Sequence, residues 1–275
     1  MPQTVTNDMM IDLSVLEAEP ADEYHAKAGE YLSSSMLRNF LVSPDYFRRK
    51  ELGQTKEVDS SGLLLGTAAH VRILEGKDAY KTQFAFAGPI NPTTGKPFGD
   101  KTKTWARWAA EQGKPILPEK MIDQVEAMVR SVSLNEEAIE LLRWGRSEGV
   151  VRAQYHGMPC QIRIDWLHPE HGIVDLKTTG SSINRLHYLI REYGYLQQLA
   201  FYQSVLAEVI GEYVPAHLVI VEANEPHRCQ VASFGPESMD RARHRNEAAI
   251  DRLRECRKTD KWPSALEPRV ILDFP

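Results

Sequence analysis

Residues 160–167 alternate: Ile162, Ile164 and Trp166 fall on one face and Gln161, Arg163 and Asp165 on the other, the period-2 pattern of a half-buried strand. Residues 173–178 alternate too, with Val174 and Leu176 opposite Asp175 and Lys177. Between them, His168-Pro169-Glu170-His171-Gly172 supplies Pro and Gly at loop length, which predicts an antiparallel hairpin. A strand over 150–156 precedes it in a meander. Downstream, the pattern predicts a long helix over 183–211, strands over 216–223 and 228–234, and a final helix over 236–258. The inward stripe of the long helix reads as Tyr195, Leu199, Tyr202, Val205, Leu206 and Val209. Upstream, Ser33-Ser34-Ser35 before Met36-Leu37-Arg38-Asn39-Phe40 is a capped helix start, and Ser43-Pro44-Asp45 opens a second short helix. Residues 60–76, 104–113 and 118–143 read as helices, and 88–103, rich in Pro, Gly, Thr and Lys, as a long loop. The whole is an α/β chain with a central sheet.

At 275 residues with 42% hydrophobic content the chain suits one large or two small soluble domains. No basic segment followed by an apolar run opens it and no apolar stretch reaches membrane-span length, so a cytoplasmic protein with no membrane partner is expected. Cys160, Cys229 and Cys256 are odd in number and far apart, which argues against a disulfide framework, a zinc knuckle or a four-cysteine iron–sulfur cluster. The net charge of −5 is uneven: residues 1–30 hold seven acids against Lys27, leaving the remainder at +1. Overall charge therefore does not exclude nucleic acid, which needs only a local basic stripe. The acidic leader reads as a flexible arm, a partner-docking segment or, by default, a solubilising tail.

With the hairpin centred on Glu170, Asp165 lies opposite Asp175. Like charges across a strand pair cost roughly 0.2–1 kcal/mol, so their placement suggests a cation between them. Hard oxygens suit Mg²⁺ or Mn²⁺. Lys177, two residues on, projects from the face of Asp175 and can orient or deprotonate a water. That set suits phosphodiester hydrolysis, where metal polarises the phosphoryl oxygen and activates water, with ions about 4 Å apart when two are used. Asp-x-Lys alone is common, and an ordinary exposed hairpin would also contain it.

Helical spacing aligns Gly62, Gly66 and His70, small residues that let another element approach with His70 at the end of the gap. A lone histidine there is either a satisfied core residue or a ligand. Gln198 falls within the apolar stripe of the 183–211 helix and needs a specific partner, because an unpaired buried amide costs roughly 1–3 kcal/mol. That partner is a site water, a DNA phosphate or a backbone carbonyl. Tyr202 lies one turn on.

Gly66-Thr67-x-x-His70, Arg163-Ile164-Asp165, Asp175-Leu176-Lys177-Thr178-Thr179 and Gln198-x-x-x-Tyr202, in this order, resemble the PD-(D/E)xK nucleases of recombination, most of all the RecE (exodeoxyribonuclease VIII) type of phage and prophage enzyme. The likeness runs from Tyr24-His25 to Lys261-Trp262-Pro263. It implies a restriction-endonuclease-like core with a mixed sheet flanked by helices, formed by residues 31–275 as a single nuclease domain after an acidic N-terminal arm, 1–30. It implies a 5′-to-3′ exonuclease on linear double-stranded DNA that leaves 3′ overhangs for a RecT-like single-strand annealing protein. Matched by position, His70, Asp165, Asp175 and the Leu176 carbonyl would hold Mg²⁺ or Mn²⁺, with two ions per site. Lys177 would activate water, and Gln198 with Tyr202 would support the site or contact DNA. Ser33 and Ser35 would lie near the terminal 5′-phosphate, although the basic residue that λ exonuclease-like enzymes place just before this segment has no match in Ala28-Gly29-Glu30. Relatives form toroidal trimers or tetramers, so a ring-shaped homo-oligomer is expected. The 88–103 loop, with Lys96, Lys101 and Lys103 followed by Trp105, Arg107 and Trp108, is either a DNA-contacting flap or a solvated loop leading into a helix with core tryptophans. A structure-specific or single-strand endonuclease on the same fold, and a non-catalytic DNA-end-binding protein, are the alternatives.

Overall fold

The structure, a computed structural model, describes residues 10–55 and 61–264. The strands in chain order are β1 (Glu17–Ala18), β2 (Ala85–Phe86), β3 (Ile116–Leu117), β4 (Arg146–Tyr155), β5 (Met158–His168), β6 (Gly172–Thr179), β7 (Ala216–Glu222) and β8 (Cys229–Ser233). The helices are α1 (Ala21–Ala26), α2 (Ser34–Val42), α3 (Pro44–Glu51), α4 (Ser61–His70), α5 (Gly76–Gln83), α6 (Lys103–Gln112), α7 (Glu119–Ser133), α8 (Glu136–Leu141), α9 (Leu186–Glu192), α10 (Tyr195–Ile210) and α11 (Pro236–Thr259). Among the described residues, one sheet runs β1-β4-β5-β6-β7-β8, with β6 and β7 parallel and the other neighbours antiparallel. Strands β2 and β3 form a separate parallel pair.

The sheet is covered on both faces, as a mixed sheet with a parallel crossover requires. Helices α2, α10 and α11 close one side over Ile162, Ile164, Leu218 and Ile220, and α4, α7 and α8 close the other over Val174, Leu176, Val219 and Val221. The β5–β6 hairpin has the expected register, with His168 opposite Gly172 and Trp166 opposite Val174. His168 fastens its turn: the ring Nδ1 accepts the backbone N–H groups of Glu170 and His171 at 3.0 and 3.1 Å.

Several elements depart from the sequence reading. The 183–211 segment is two helices, because Gly194 at φ 66° turns the chain between α9 and α10. Within α10 the buried positions surround the middle of the helix, which lies between sheet and α11, while Val209 emerges at 45% exposure instead of facing inward. The 118–143 segment also divides, with Asn135 Oδ1 capping α8 at the Ala138 amide (2.9 Å). The helix expected over 60–76, whose residue 60 lies outside the described residues, runs as α4 to His70, then a wide turn Val71–Glu75. Trp166 does not share a face with Ile162 and Ile164: it packs with the α4/α7 side while Leu167 returns to the other, so the alternation inverts across Asp165.

The acidic leader is no solubilising tail from Met10 onward. Leu16 is buried, β1 pairs with β4, and Glu19 binds Arg152 and Lys27. Gly149 permits this approach, since a Cβ there would lie 2.5 Å from Leu16 Cδ1.

At the far end of β7, Glu222 ties down the turn that follows β6. It accepts from the Ile183 amide at 2.8 Å and from the Arg228 guanidinium at 2.6 Å, and these Arg228 bonds above all depress its pKa to about 2. The Glu222→Gln variant is expected to lose about 2 kcal/mol at neutral pH, the scale of hydrogen bonds to a buried charge. A depressed carboxylate stabilises fully above its unfolded value and loses that contribution as pH falls toward the folded one. Denaturant unfolding of parent and variant should therefore converge between about pH 4.5 and 2, and a gap independent of pH over that range would refute the assignment.

Candidate active site

Asp165 and Asp175 stand on neighbouring strands where the β5–β6 ladder ends and the strands part. Asp165 Oδ2 accepts the Leu176 amide at 2.8 Å, which fixes that carboxylate beside β6. Asp175 is 1% exposed; its Oδ1 accepts from Gln198 Nε2 at 3.0 Å, and Lys177 Nζ lies 2.5 Å from its Oδ2. Lys177 Nζ is also 3.9 Å from Asp165 Oδ2 and lies over the Tyr195 ring. Gln198 reaches Tyr202 at the same time, Nε2 to Oη 3.2 Å. Its partner is thus the aspartate itself, which neither a water, a phosphate nor a backbone carbonyl would have given.

His70, the last residue of α4, brings Nδ1 to 3.8 Å from Asp165 Oδ2, with the Leu176 carbonyl beside the ring. The glycine stripe explains how. Helix α4 crosses β6 so closely that a Cβ on Gly66 would be 3.2 Å from Thr178 Oγ1. Gly66→Ala should be near neutral, because a gain in helix propensity of about 1 kcal/mol offsets the squeeze. Gly66→Leu should cost about 1–3 kcal/mol by overpacking and carry His70 away from Asp165; thermal unfolding together with a DNA digestion rate checks both.

Burial sets the protonation states. It lowers the His70 pKa despite the opposing pull of Asp165, leaving a neutral imidazole able to donate its lone pair. Burial raises Asp175, against the pull of Lys177. Burial also works against the Lys177 ammonium, but Asp175 and Asp165 outweigh it and hold its pKa above the usual lysine value. Lys177 is accordingly a donor here: it can hold a water or a phosphoryl oxygen, and it is not poised to take a proton. Burial raises Tyr202 well above the ordinary phenol range, so it stays neutral.

Two neutral donors and two carboxylates, the His70 ring, the Leu176 carbonyl, Asp165 and Asp175, are the mixed hard and borderline set that suits Mg²⁺ or Mn²⁺. A further carboxylate that sequence reading missed adjoins them: ligand atoms of His70, Glu148 and Asp165 all lie within 4.8 Å of one another. Burial raises Glu148 to about 7, with Asp165 adding to the rise and Arg163 opposing it.

The site opens into a cleft of about 840 Å³ whose lining includes Asp165, Lys177, Gln198 and Tyr202 as well as Ser33 and Ser35. Ser33 Oγ accepts the Met36 amide at 3.4 Å and so caps α2, whereas Ser35 is exposed. Arg38, Arg191 and Arg245 line the same cleft from three different helices and had no sequence signal. Lys101 and Lys103 are exposed at the start of α6 and do not line it. Trp105 and Trp108 are half-buried against Gly88, not core residues.

Asp-x-Lys on one central strand, answered by an aspartate from its neighbour, gives the PD-(D/E)xK class both its name and its site, and the fold and geometry place this chain in that class. It belongs to the family described as a PDDEXK-like domain of unknown function (DUF3799), which matches residues 33–268. The chain is also similar to the crystal structure of a "Putative exonuclease" from Eubacterium rectale, at a TM-score of 0.66 and 18% identity over 94% of this chain and 96% of that one. At that identity the likeness speaks for the fold. No curated protein matches the chain. Among the described residues, no helix is long and apolar enough to cross a membrane.

Proposed function

We propose that this chain is a Mg²⁺- or Mn²⁺-dependent exonuclease that digests one strand of linear duplex DNA from its 5′ end and leaves a 3′ overhang for a single-strand annealing protein. The observation that carries the nuclease reading is that Asp165, Lys177 and Gln198 line one cleft with Arg38, Arg191 and Arg245, while buried Asp175 is held against Gln198 and Lys177. His70, Asp165, Asp175 and the Leu176 carbonyl would hold the metal, two ions when fully loaded. Ions bound there would polarise the scissile phosphate and lower the pKa of the attacking water. Lys177 donates to that water or to a phosphoryl oxygen. Gln198, itself braced by Tyr202, keeps the Asp175 carboxylate in one orientation. The three arginines meet backbone phosphates, and Ser35 with the first amides of α2 offers hydroxyl and N–H donors for a terminal phosphate. These arginines supply the cations that Ala28-Gly29-Glu30 lacks. The 5′ polarity, the annealing partner and a toroidal trimer or tetramer rest on the resemblance to the RecE type; a ring would make digestion processive, since the enzyme leaves only by sliding off an end.

Digestion of linear duplex DNA labelled at the 5′ or the 3′ end tests this. Immediate Mg²⁺-dependent release of the 5′ label, with circular DNA untouched, is the expected result. Nicked circles would replace the proposal with an endonuclease, and binding without cleavage under every metal with a DNA-end-binding protein.

A further inference from the structure

We infer that Glu148 is a ligand of the metal centre, binding a divalent ion together with His70 and Asp165, and that Arg163 holds the Glu148 carboxylate until the ion arrives. This rests on the nuclease reading above.

The backbone singles Glu148 out. The β4–β5 ladder pairs Ser147 with Trp166 and Gly149 with Ile164 and skips the pair between them, which is Glu148 and Asp165. Glu148 has φ 55°, a left-handed conformation that costs a residue with a Cβ about 1–2 kcal/mol. Strain of this kind is retained where the surroundings impose it, and it concentrates at functional sites. Here it coincides with the inversion of faces across Asp165. The result sets two carboxylates, from opposed positions of adjacent strands, beside the His70 ring.

The spacing is that of ligands around one ion. His70 Nδ1 and Asp165 Oδ2 are 3.8 Å apart, too far for a hydrogen bond. With metal–ligand distances of about 2.1 Å, octahedral neighbours stand about 3.0 Å apart and opposite ligands about 4.2 Å. The full set of three lies within 4.8 Å, near the spacing of opposite ligands. Charge argues the same way. Glu148, Asp165 and Asp175 face Arg163 and Lys177, and Glu75 adds to the negative field at Glu148. A divalent ion removes the excess.

Arg163 is placed to yield. Its Nη2 lies 3.2 Å from Glu148 Oε2, but among the described residues its buried Nε finds no hydrogen-bond partner. A guanidinium locked in a bidentate fork would use both sides; this one holds the carboxylate by one.

Titration of the DNA-free protein with Mn²⁺, followed by electron paramagnetic resonance and calorimetry, tests the inference. Glu148→Gln keeps the shape and removes the charge, and is expected to lose one ion from the stoichiometry or weaken one site at least tenfold. Its secondary structure and metal-free Tm should match the parent. Arg163→Met, which releases Glu148, should bind Mn²⁺ at least as tightly as the parent. If Glu148→Gln and Glu148→Ala both bind Mn²⁺ with parental number and affinity while the parent cuts DNA, the Glu148 inference falls and the nuclease reading stands. If the parent itself binds no Mn²⁺ and cuts nothing, both fall.

Discussion

Lys177→Ala is expected to leave linear duplex DNA intact for at least about a thousandfold longer than the parent, within the 10²–10⁴-fold range typical of a positioned acid–base or donor group. Lys177 lies 2.5 Å from the Asp175 carboxylate and 3.9 Å from Asp165, so it is the cation nearest the two candidate ligands. Its pKa is held above the ordinary lysine value by those carboxylates, and its loss removes a charged donor from the place where phosphoryl charge develops. Removing the partner instead is harsher on the fold. Asp175→Ala leaves a buried ammonium with only Asp165 near it, and breaking a buried pair costs about 3–5 kcal/mol. Asp175→Asn, which keeps an acceptor for Gln198 Nε2, is the better companion variant. Both Lys177→Ala and Asp175→Asn should still bind duplex DNA, because the cleft arginines are untouched. A single-turnover digestion beside a binding titration settles the matter; a parental cleavage rate in either variant would remove Lys177 or Asp175 from the site.

Chelation should have the largest effect of all. With EDTA in place of Mg²⁺, cleavage should fall to the background of the uncatalysed reaction and return when Mg²⁺ or Mn²⁺ is restored. At this site Lys177 is held protonated, Tyr202 is kept a neutral phenol by burial, and Asp175 is engaged by Lys177 and Gln198. His70 is neutral, but its Nδ1 faces Asp165. A divalent ion held here would supply the activation of water, since a bound ion can bring the pKa of water from 15.7 to near 7 in favourable sites. Steady digestion in EDTA would overturn both the metal assignment and this division of labour. The same experiment with Mn²⁺ should show activity too, since the imidazole in the donor set does not exclude the softer ion.

What the sequence by itself determined is local. Period-2 alternation and a loop carrying Pro and Gly were enough for the β5–β6 hairpin and its register, because side-chain direction in a strand and turn chemistry depend on neighbours a few residues away. With the register came the opposition of Asp165 and Asp175 and the placement of Lys177 beside the latter. The approach allowed by Gly66 was legible for the same reason, as spacing along one helix. Breaks within helices were less visible: Gly194 and Asn135 interrupt α9–α10 and α7–α8 at positions where the apolar period continues across the turn. Glu148 was not legible. In Ser147-Glu148-Gly149 it looks like an ordinary strand-end acid, and only the pairing of β4 with β5 puts it across from Asp165. Arg38, Arg191 and Arg245 lie on α2, α9 and α11, far apart in the chain, and their meeting in one cleft is decided by how those helices pack on the sheet. Packing also settled the partner of Gln198, since an amide on a buried helix face declares a need for a hydrogen bond without saying which strand will supply it. Pairing and spacing along one segment are written in the order of residues; convergence of distant segments depends on the fit of whole faces, and that only the folded chain provides.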